Sequence, residues 1–202
     1  MNRENADNTM MKILSKYAVD GKKPMVMLHV CCAPCASASI ERIHPLTRLT
    51  LLFYNPNIMP QQEYEKRKSE LIRMVKENPD YADVKFVDID YDNSEYLRFV
   101  RGHEKDEEQG ERCTLCFSLR LRKTARMAKL HGCDFFATTL TIGPKKNTDV
   151  ISAVGRGIAK EEGIEYLPTD FKRKKGYERS LQLSNELGLY RQSYCGCAFA
   201  RK

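Results

Sequence analysis

The 202-residue sequence has no apolar stretch approaching the roughly 20 residues of a membrane span, and its start, MNRENADN, is polar, with no signal-peptide centre. The expectation is a soluble, cytoplasmic protein with no membrane partner. The sequence also lacks internal repeats, low-complexity linkers and any Pro/Gly-rich hinge between two cores. At this length that implies a single domain over 1–202, with residues 1–23 a polar N-terminal extension or helix. No G-x-x-x-x-G-K-S/T loop and no S-G-G-x-D-S loop follows any apolar run, and GRG at 155–157 falls inside a helical pattern, so ATP is not an expected partner. Acidic residues are scarce near the end. From Phe171 onward Lys172, Arg173, Lys174, Lys175, Arg179, Arg191, Arg201 and Lys202 face only Glu178 and Glu186, within a net charge of +7. That tail reads as an electropositive face for a polyanion.

Short apolar runs alternate with helical periods. MVMLHV (25–30), LTLLFY (49–54), VKFVDI (84–89) and DFFATTL (134–140) read as strands, with IEYL (164–167) a weaker fifth. Helices are expected near 35–44, 60–77, 93–101, 114–131, 147–162 and 177–187, several with start signals such as Pro60 and Asn147. Strands buried on both faces and separated by helices imply an α/β fold with a parallel sheet, whose ligands bind at the carboxyl ends of the strands. The acidic stretch GHEKDEEQGERC (102–113) reads as a solvated excursion between helices that delivers Cys113.

Seven of the eight cysteines form three close sets: C-C-x-x-C at Cys31, Cys32 and Cys35, C-x-x-C at Cys113 and Cys116, and C-x-C at Cys195 and Cys197. Without an export signal, metal binding or redox catalysis is favoured over a disulfide framework. Cys133, alone beside an apolar strand, reads as a small buried hydrophobe. Two thiol turns brought together make a four-thiolate site for zinc or an iron–sulfur cluster, and spacing alone does not choose between them. Three considerations favour iron–sulfur. A chain of this size needs no metal staple, a zinc site would leave three clustered cysteines unassigned, and adjacent thiols reach different irons of one cluster more easily than one zinc. Gly196 permits close approach of Cys195 and Cys197, either as a strained, easily reduced disulfide or as two more metal ligands. His29, at the end of the first strand, is ordinarily a satisfied core residue there.

Several motifs in order, HVCCAPC (29–35), YNPNIMPQQEYEKR (54–67), GERCTLCFSLRLRKTARMA (110–128), FATTLTIGPKKN (136–147), DFKRKKGYERS (170–180) and LYRQSYCGC (189–197), resemble the QueH-type epoxyqueuosine reductases, from about Val26 to Phe199. The resemblance implies a Rossmann-like α/β sheet, similar to PP-loop (HUP-like) enzymes, with a cysteine-rich site at its carboxyl edge. It implies reduction of epoxyqueuosine at the tRNA wobble position to queuosine, with tRNA as partner and an unidentified electron donor. By the same resemblance Cys31, Cys32, Cys113 and Cys116 look like ligands of a [4Fe-4S] cluster, and Cys195 and Cys197 like a redox-active pair. Alternatively that pair joins Cys35 around an adjacent mononuclear iron.

Opening an epoxide to an alkene consumes two electrons and two protons. Asp170, Tyr190 and Tyr194 are candidate proton donors by proximity to matched motifs, Asp170 and Tyr194 taken with Cys195 and Cys197 as the catalytic set. Lys145, Lys146, Lys172, Arg173, Lys174, Lys175, Tyr190 and Arg191 are the expected substrate-binding residues, offering phosphate contacts and aromatic surface. Competing readings are a different iron–sulfur tRNA-modifying enzyme and a zinc-stabilised nucleic-acid-binding domain without catalysis.

Overall fold

The structure, a computed structural model, describes residues 5–200. Five strands, β1 (Met25–His29), β2 (Arg48–Leu52), β3 (Lys85–Val87), β4 (Phe135–Thr138) and β5 (Glu165–Tyr166), form one all-parallel sheet in the order β3-β2-β1-β4-β5. The helices are α1 (Ala6–Val19), α2 (Ala33–Ile43), α3 (Gln61–Glu77), α4 (Asn93–Phe99), α5 (Glu111–Leu130), α6 (Thr148–Glu162) and α7 (Gly176–Glu186). The α/β fold expected from the alternating pattern is therefore present.

Side chains alternate across a strand, so Val26 and Leu28 enter one core while Met27 enters the other. The first core is closed by Met10 and Leu14 of α1, Ile40 of α2, Leu71 of α3 and Leu183 of α7. Leu121 and Ala125 of α5 and Ile151 and Ile158 of α6 close the second. The polar-looking N-terminal segment is thus a helix from Ala6, capped by Asn5 and anchored by fully buried Met10 and Leu14. Residues 1–4, and Arg201 and Lys202 of the basic tail, lie outside the described residues. None of the described helices is long and apolar enough to cross a membrane.

The strand order reverses on either side of β1. The chain winds outward through β2 to β3 and then returns to place β4 against the other edge of β1, opening a crevice where the two following loops diverge. Register sets the level of that crevice: His29 pairs with Leu52 of β2 and with Thr138 of β4. The apolar run at 134–140 does not continue as a strand. The Thr138 hydroxyl accepts from Leu140 N–H at 3.1 Å and turns the chain into a 3-10 segment, Thr139–Ile142, that faces the first cysteines. Helix α5 likewise begins at Glu111, earlier than its apolar period suggests, because Asp106 accepts the Arg112 N–H at 2.9 Å.

Candidate active site

Cys31 leaves the end of β1, Cys32 caps α2 with extended backbone, and Cys35 lies in the first turn of that helix. Their three sulfurs all fall within 4.8 Å of one another, and Cys31 Sγ lies 3.9 Å from Cys32 Sγ. Thr139 holds Cys31 from the β4 side, its hydroxyl 3.6 Å from Cys31 Sγ and 3.3 Å from the Cys31 N–H, which donates to it. A helix N-terminus favours negative charge, and the trio concentrates it on one atom. Hydrogen bonds from the Cys32 and Cys35 thiols hold Cys31 well below the ordinary thiol range. Giving its proton to that bond pushes Cys32 up to about 12, and Cys31, with Cys32, likewise raises Cys35. Such a cluster of thiols is able to bind a soft metal.

The second and third cysteine sets meet each other. Cys113 and Cys116 project from the first two turns of α5 into a small pocket of about 10 Å³ shared with Cys195, Cys197, Tyr96, Arg112 and Arg120. Burial pushes Cys116 up to about 12. Cys195 also faces the first set, because with Cys31, Cys35, Asn55, Asn57 and Arg120 it lines an adjoining pocket of about 100 Å³. Six of the seven clustered thiols line these two spaces, and the seventh, Cys32, touches Cys31. All eight cysteines are free thiols.

The C-x-C turn is held from α3. Arg67, 2% exposed and paired to Glu63 at 2.7 Å, donates to the carbonyls of Cys195 (3.1 Å) and Tyr194 (3.3 Å), while Met59 N–H donates to Gly196 O at 2.9 Å. Gly196 has φ +98°, and a Cβ there would lie 2.9 Å from Ile58 Cγ1 and 3.2 Å from Arg67. Gly196→Ala is therefore expected to lower stability by about 1–3 kcal/mol in chemical denaturation. It should also slow turnover by about 10²-fold by displacing both flanking thiols. An unchanged denaturation midpoint would show that the turn adapts freely.

Two protonated side chains touch the pair. The Tyr96 hydroxyl of α4 is 3.0 Å from Cys197 Sγ, and Lys146 Nζ donates to Cys195 Sγ at 3.6 Å. Burial raises the Tyr96 pKa and keeps it a phenol. For Lys146 burial works against the charge, yet the Cys195 sulfur holds its pKa above the ordinary lysine value. His29 is buried and neutral, its pKa lowered to about 4 by burial and by Arg120, with its ring nitrogens on Thr138 Oγ1 (2.9 Å) and Tyr54 O (3.1 Å). It is a satisfied core residue.

Beside the thiols opens a cleft of about 620 Å³, lined by Cys35, Cys195, Lys145, Lys146, Tyr177, Arg191 and Tyr194 among others. It shares Pro144, Lys145 and Lys146 with a groove of about 480 Å³ that carries Lys172 and Arg173. The first volume is in the range of small-molecule sites, and the second is a basic track leading away from it.

The sequence profile described as epoxyqueuosine reductase QueH matches residues 26–202. The chain belongs to the epoxyqueuosine reductase QueH family. It is 38% identical over 200 residues to a protein of that name from Staphylococcus epidermidis, covering 97% of this chain and 84% of the relative. A Streptococcus pyogenes relative of the same name is 40% identical over 200 residues, covering 98% of this chain and 78% of the relative. One from Thermotoga maritima is 34% identical over 178 residues, covering 87% of this chain and 89% of the relative.

In this QueH-family chain the expected site residues separate into two groups. Lys145, Lys146, Arg191 and Tyr194 line the cleft with Cys195, and Lys172 and Arg173 line the adjoining groove. Asp170 lines that groove too, accepting from Thr148 Oγ1 and Arg173 Nε at 3.3 Å each, and is absent from the residues lining the three spaces that hold the thiols. Tyr190 is turned toward α3: its hydroxyl donates to Glu63 at 3.1 Å, its N–H donates to Glu70, and Lys66 lies over its ring. Lys174 lines a groove beside α1 that holds none of the thiols, and Lys175 caps α7 with φ +62°. Arg179 is neutralised by Glu41 and Glu186. Cys133 is buried at the entrance of β4, its thiol pKa raised by burial. Sequence reasoning missed Tyr96, Arg67, Asn55 and Arg120, for which no local pattern exists.

Proposed function

We propose that this chain reduces epoxyqueuosine in tRNA to queuosine. The observation that carries the reading is the convergence of seven thiols, from three distant stretches of sequence, beside a nucleoside-sized cleft that runs into a basic groove. The donor set fits an iron–sulfur group. Arg120, 2% exposed, lines both pockets with Cys31, Cys116 and Cys195 and has no acidic partner among the described residues, so an anionic thiolate-bound group is what its charge would answer. Cys31, Cys32, Cys113 and Cys116 would hold a [4Fe-4S] cluster, and Cys35 an adjacent mononuclear iron. When bound, such a group supplies electrons one at a time and a Lewis-acidic iron.

The chain's own residues do the rest. Lys145, Lys146, Lys172 and Arg173 hold tRNA phosphates, and Tyr177 and Tyr194 give the base aromatic surface in the cleft. Cys195 and Cys197 lose two electrons and two protons on forming a disulfide. Those account for the whole change in the substrate: the epoxide becomes an alkene and its oxygen leaves as water. Lys146 and Tyr96, each in contact with one sulfur of the pair, are placed to pass the protons. An external donor then restores the dithiol, and so many reduced thiols suit the cytoplasm.

The test supplies tRNA from cells lacking the reductase to anaerobically purified, iron-loaded protein with a chemical reductant. Loss of one oxygen from the modified base, read by mass spectrometry, is expected. A colourless, zinc-loaded protein that converts nothing would reject the proposal. The exposed Lys145 and Arg173 give a second prediction. Lys145→Ala with Arg173→Ala should weaken tRNA binding alike for modified and unmodified tRNA, and lower the log–log salt slope by about 0.7 for each phosphate no longer neutralised. An unchanged slope removes both residues from the tRNA surface.

A further inference from the structure

Arg120 spans the two thiol pockets. It is 2% exposed, its Nε donates to Cys116 O at 3.2 Å, and one guanidinium nitrogen donates to Asn55 Oδ1 at 3.3 Å. Asn55 Nδ2 in turn donates to Val30 O at 2.8 Å, immediately before Cys31. One guanidinium thus links the backbone at Cys116 to the backbone beside Cys31, facing Cys195 from both pockets. Lys146 has Glu108 at 3.7 Å and Arg67 has Glu63 at 2.7 Å, whereas Arg120, like Arg112 in the pocket beside Cys113 and Cys116, donates only to neutral oxygens; Arg120 alone of the two arginines lines both pockets. Neutral acceptors satisfy its hydrogen bonds without answering its charge, so the counter-charge must come from the sulfurs that line the two pockets with it.

We infer that Arg120 is a positioning residue, the fixed counter-cation shared by both thiol sets, and that its charge sets how readily the metal group held between them is reduced. This rests on the iron–sulfur reading of the site. Adding an electron to a group already anionic is favoured by a cation that cannot leave and is poorly screened by solvent. Arginine suits the task because it stays charged when buried and its planar fork reaches two partners at fixed angles.

The experiment titrates the midpoint potential of the full-length, anaerobically iron-loaded protein, by visible absorbance, in wild type, Arg120→Lys, Arg120→Gln and Arg120→Met. Iron content and thermal unfolding are measured on the same samples. The expected order follows charge. Arg120→Lys stays within about threefold of wild type in the equilibrium constant for reduction. Arg120→Gln and Arg120→Met fall at least about tenfold, which is about 59 mV for one electron. Should Arg120→Met fail to fold, the contrast between Lys and Gln decides. An order that follows hydrogen bonding instead, with Gln like wild type and Lys displaced, overturns the inference. So does loss of iron from both Lys and Gln variants while wild type retains it. Wild-type protein that takes up no iron rejects the reading of the site itself, and the inference with it, whereas loaded protein with potentials indifferent to charge rejects the role of Arg120 alone.

Discussion

Cys195→Ser and Cys197→Ser are each expected to abolish reduction of the substrate, by about 10³-fold or more, while the iron content and the visible absorbance of the protein stay at the wild-type level. The argument is one of electron count. Epoxide opening to an alkene needs an electron pair, and a dithiol closing to a disulfide delivers one in a single chemical event. Neither thiol alone can do so. The turn that carries both thiols is fixed: Gly196 takes φ +98° between them, Arg67 donates to the Cys195 carbonyl, and Met59 N–H donates to that of Gly196. Serine preserves the size of the side chain and the contact of Tyr96 with residue 197, so the turn itself should stand. The measurement has a sharp alternative outcome, because Cys195 and Cys197 share their pocket with Cys113 and Cys116. If either serine variant loses iron together with activity, both residues move into the ligand set and the electron pair must come from elsewhere. Single-turnover assays with pre-reduced protein and no added reductant check the positive case, since wild type should convert one equivalent and either variant none.

The fold was legible because each strand of this sheet is a short, almost continuously apolar run, and each helix between them repeats at 3.6 residues. Val26, Met27 and Leu28 announce a strand covered on both faces, and Gln61–Glu77 announces a helix. The cysteines were legible as three sets because ligand spacing is local. What the sequence could not convey is who faces whom across the crevice. That depends on how far α5 reaches back toward β1, and the start of α5 is fixed by a capping contact from Asp106 rather than by hydrophobic period. Arg120 is one of five basic side chains in LRLRKTARMAKL, and nothing in that run marks it as the buried one. Tyr96 is equally silent, since a tyrosine on an apolar helix face looks the same whether its hydroxyl meets water or, as here, a sulfur. Conversely KRKK at 172–175 looked uniform by charge, but two left-handed residues, Lys174 and Lys175, bend the chain there and send its side chains to different faces.

Cys113→Ser and Cys116→Ser should lose bound iron, with affinity reduced by at least about 10–100-fold and the visible absorbance near background, and Cys31→Ser and Cys32→Ser should do the same. Serine offers a hard, protonated oxygen where a soft thiolate is required, so loss of the metal follows from ligand chemistry rather than from unfolding. The fold has little reason to respond. Helix α5 is packed by Leu121, Ala125 and Ala128 well beyond its first turn, and β1 and α2 by Leu28, Ile40 and Ile43. The structural cost is the buried hydroxyl at position 32 or 116, about 1–3 kcal/mol if it finds no partner. Cys133→Ser is the control: it carries the same chemical change in a buried thiol at the opposite end of β4, and should lower stability by a similar amount while leaving iron untouched. Cys35→Ser separates the two metals. If Cys35 holds only an adjacent iron, its variant keeps the cluster absorbance and loses a single iron per chain. If it belongs to the cluster, the absorbance goes too, and the trio whose sulfurs lie within 4.8 Å acts as one ligand set rather than two.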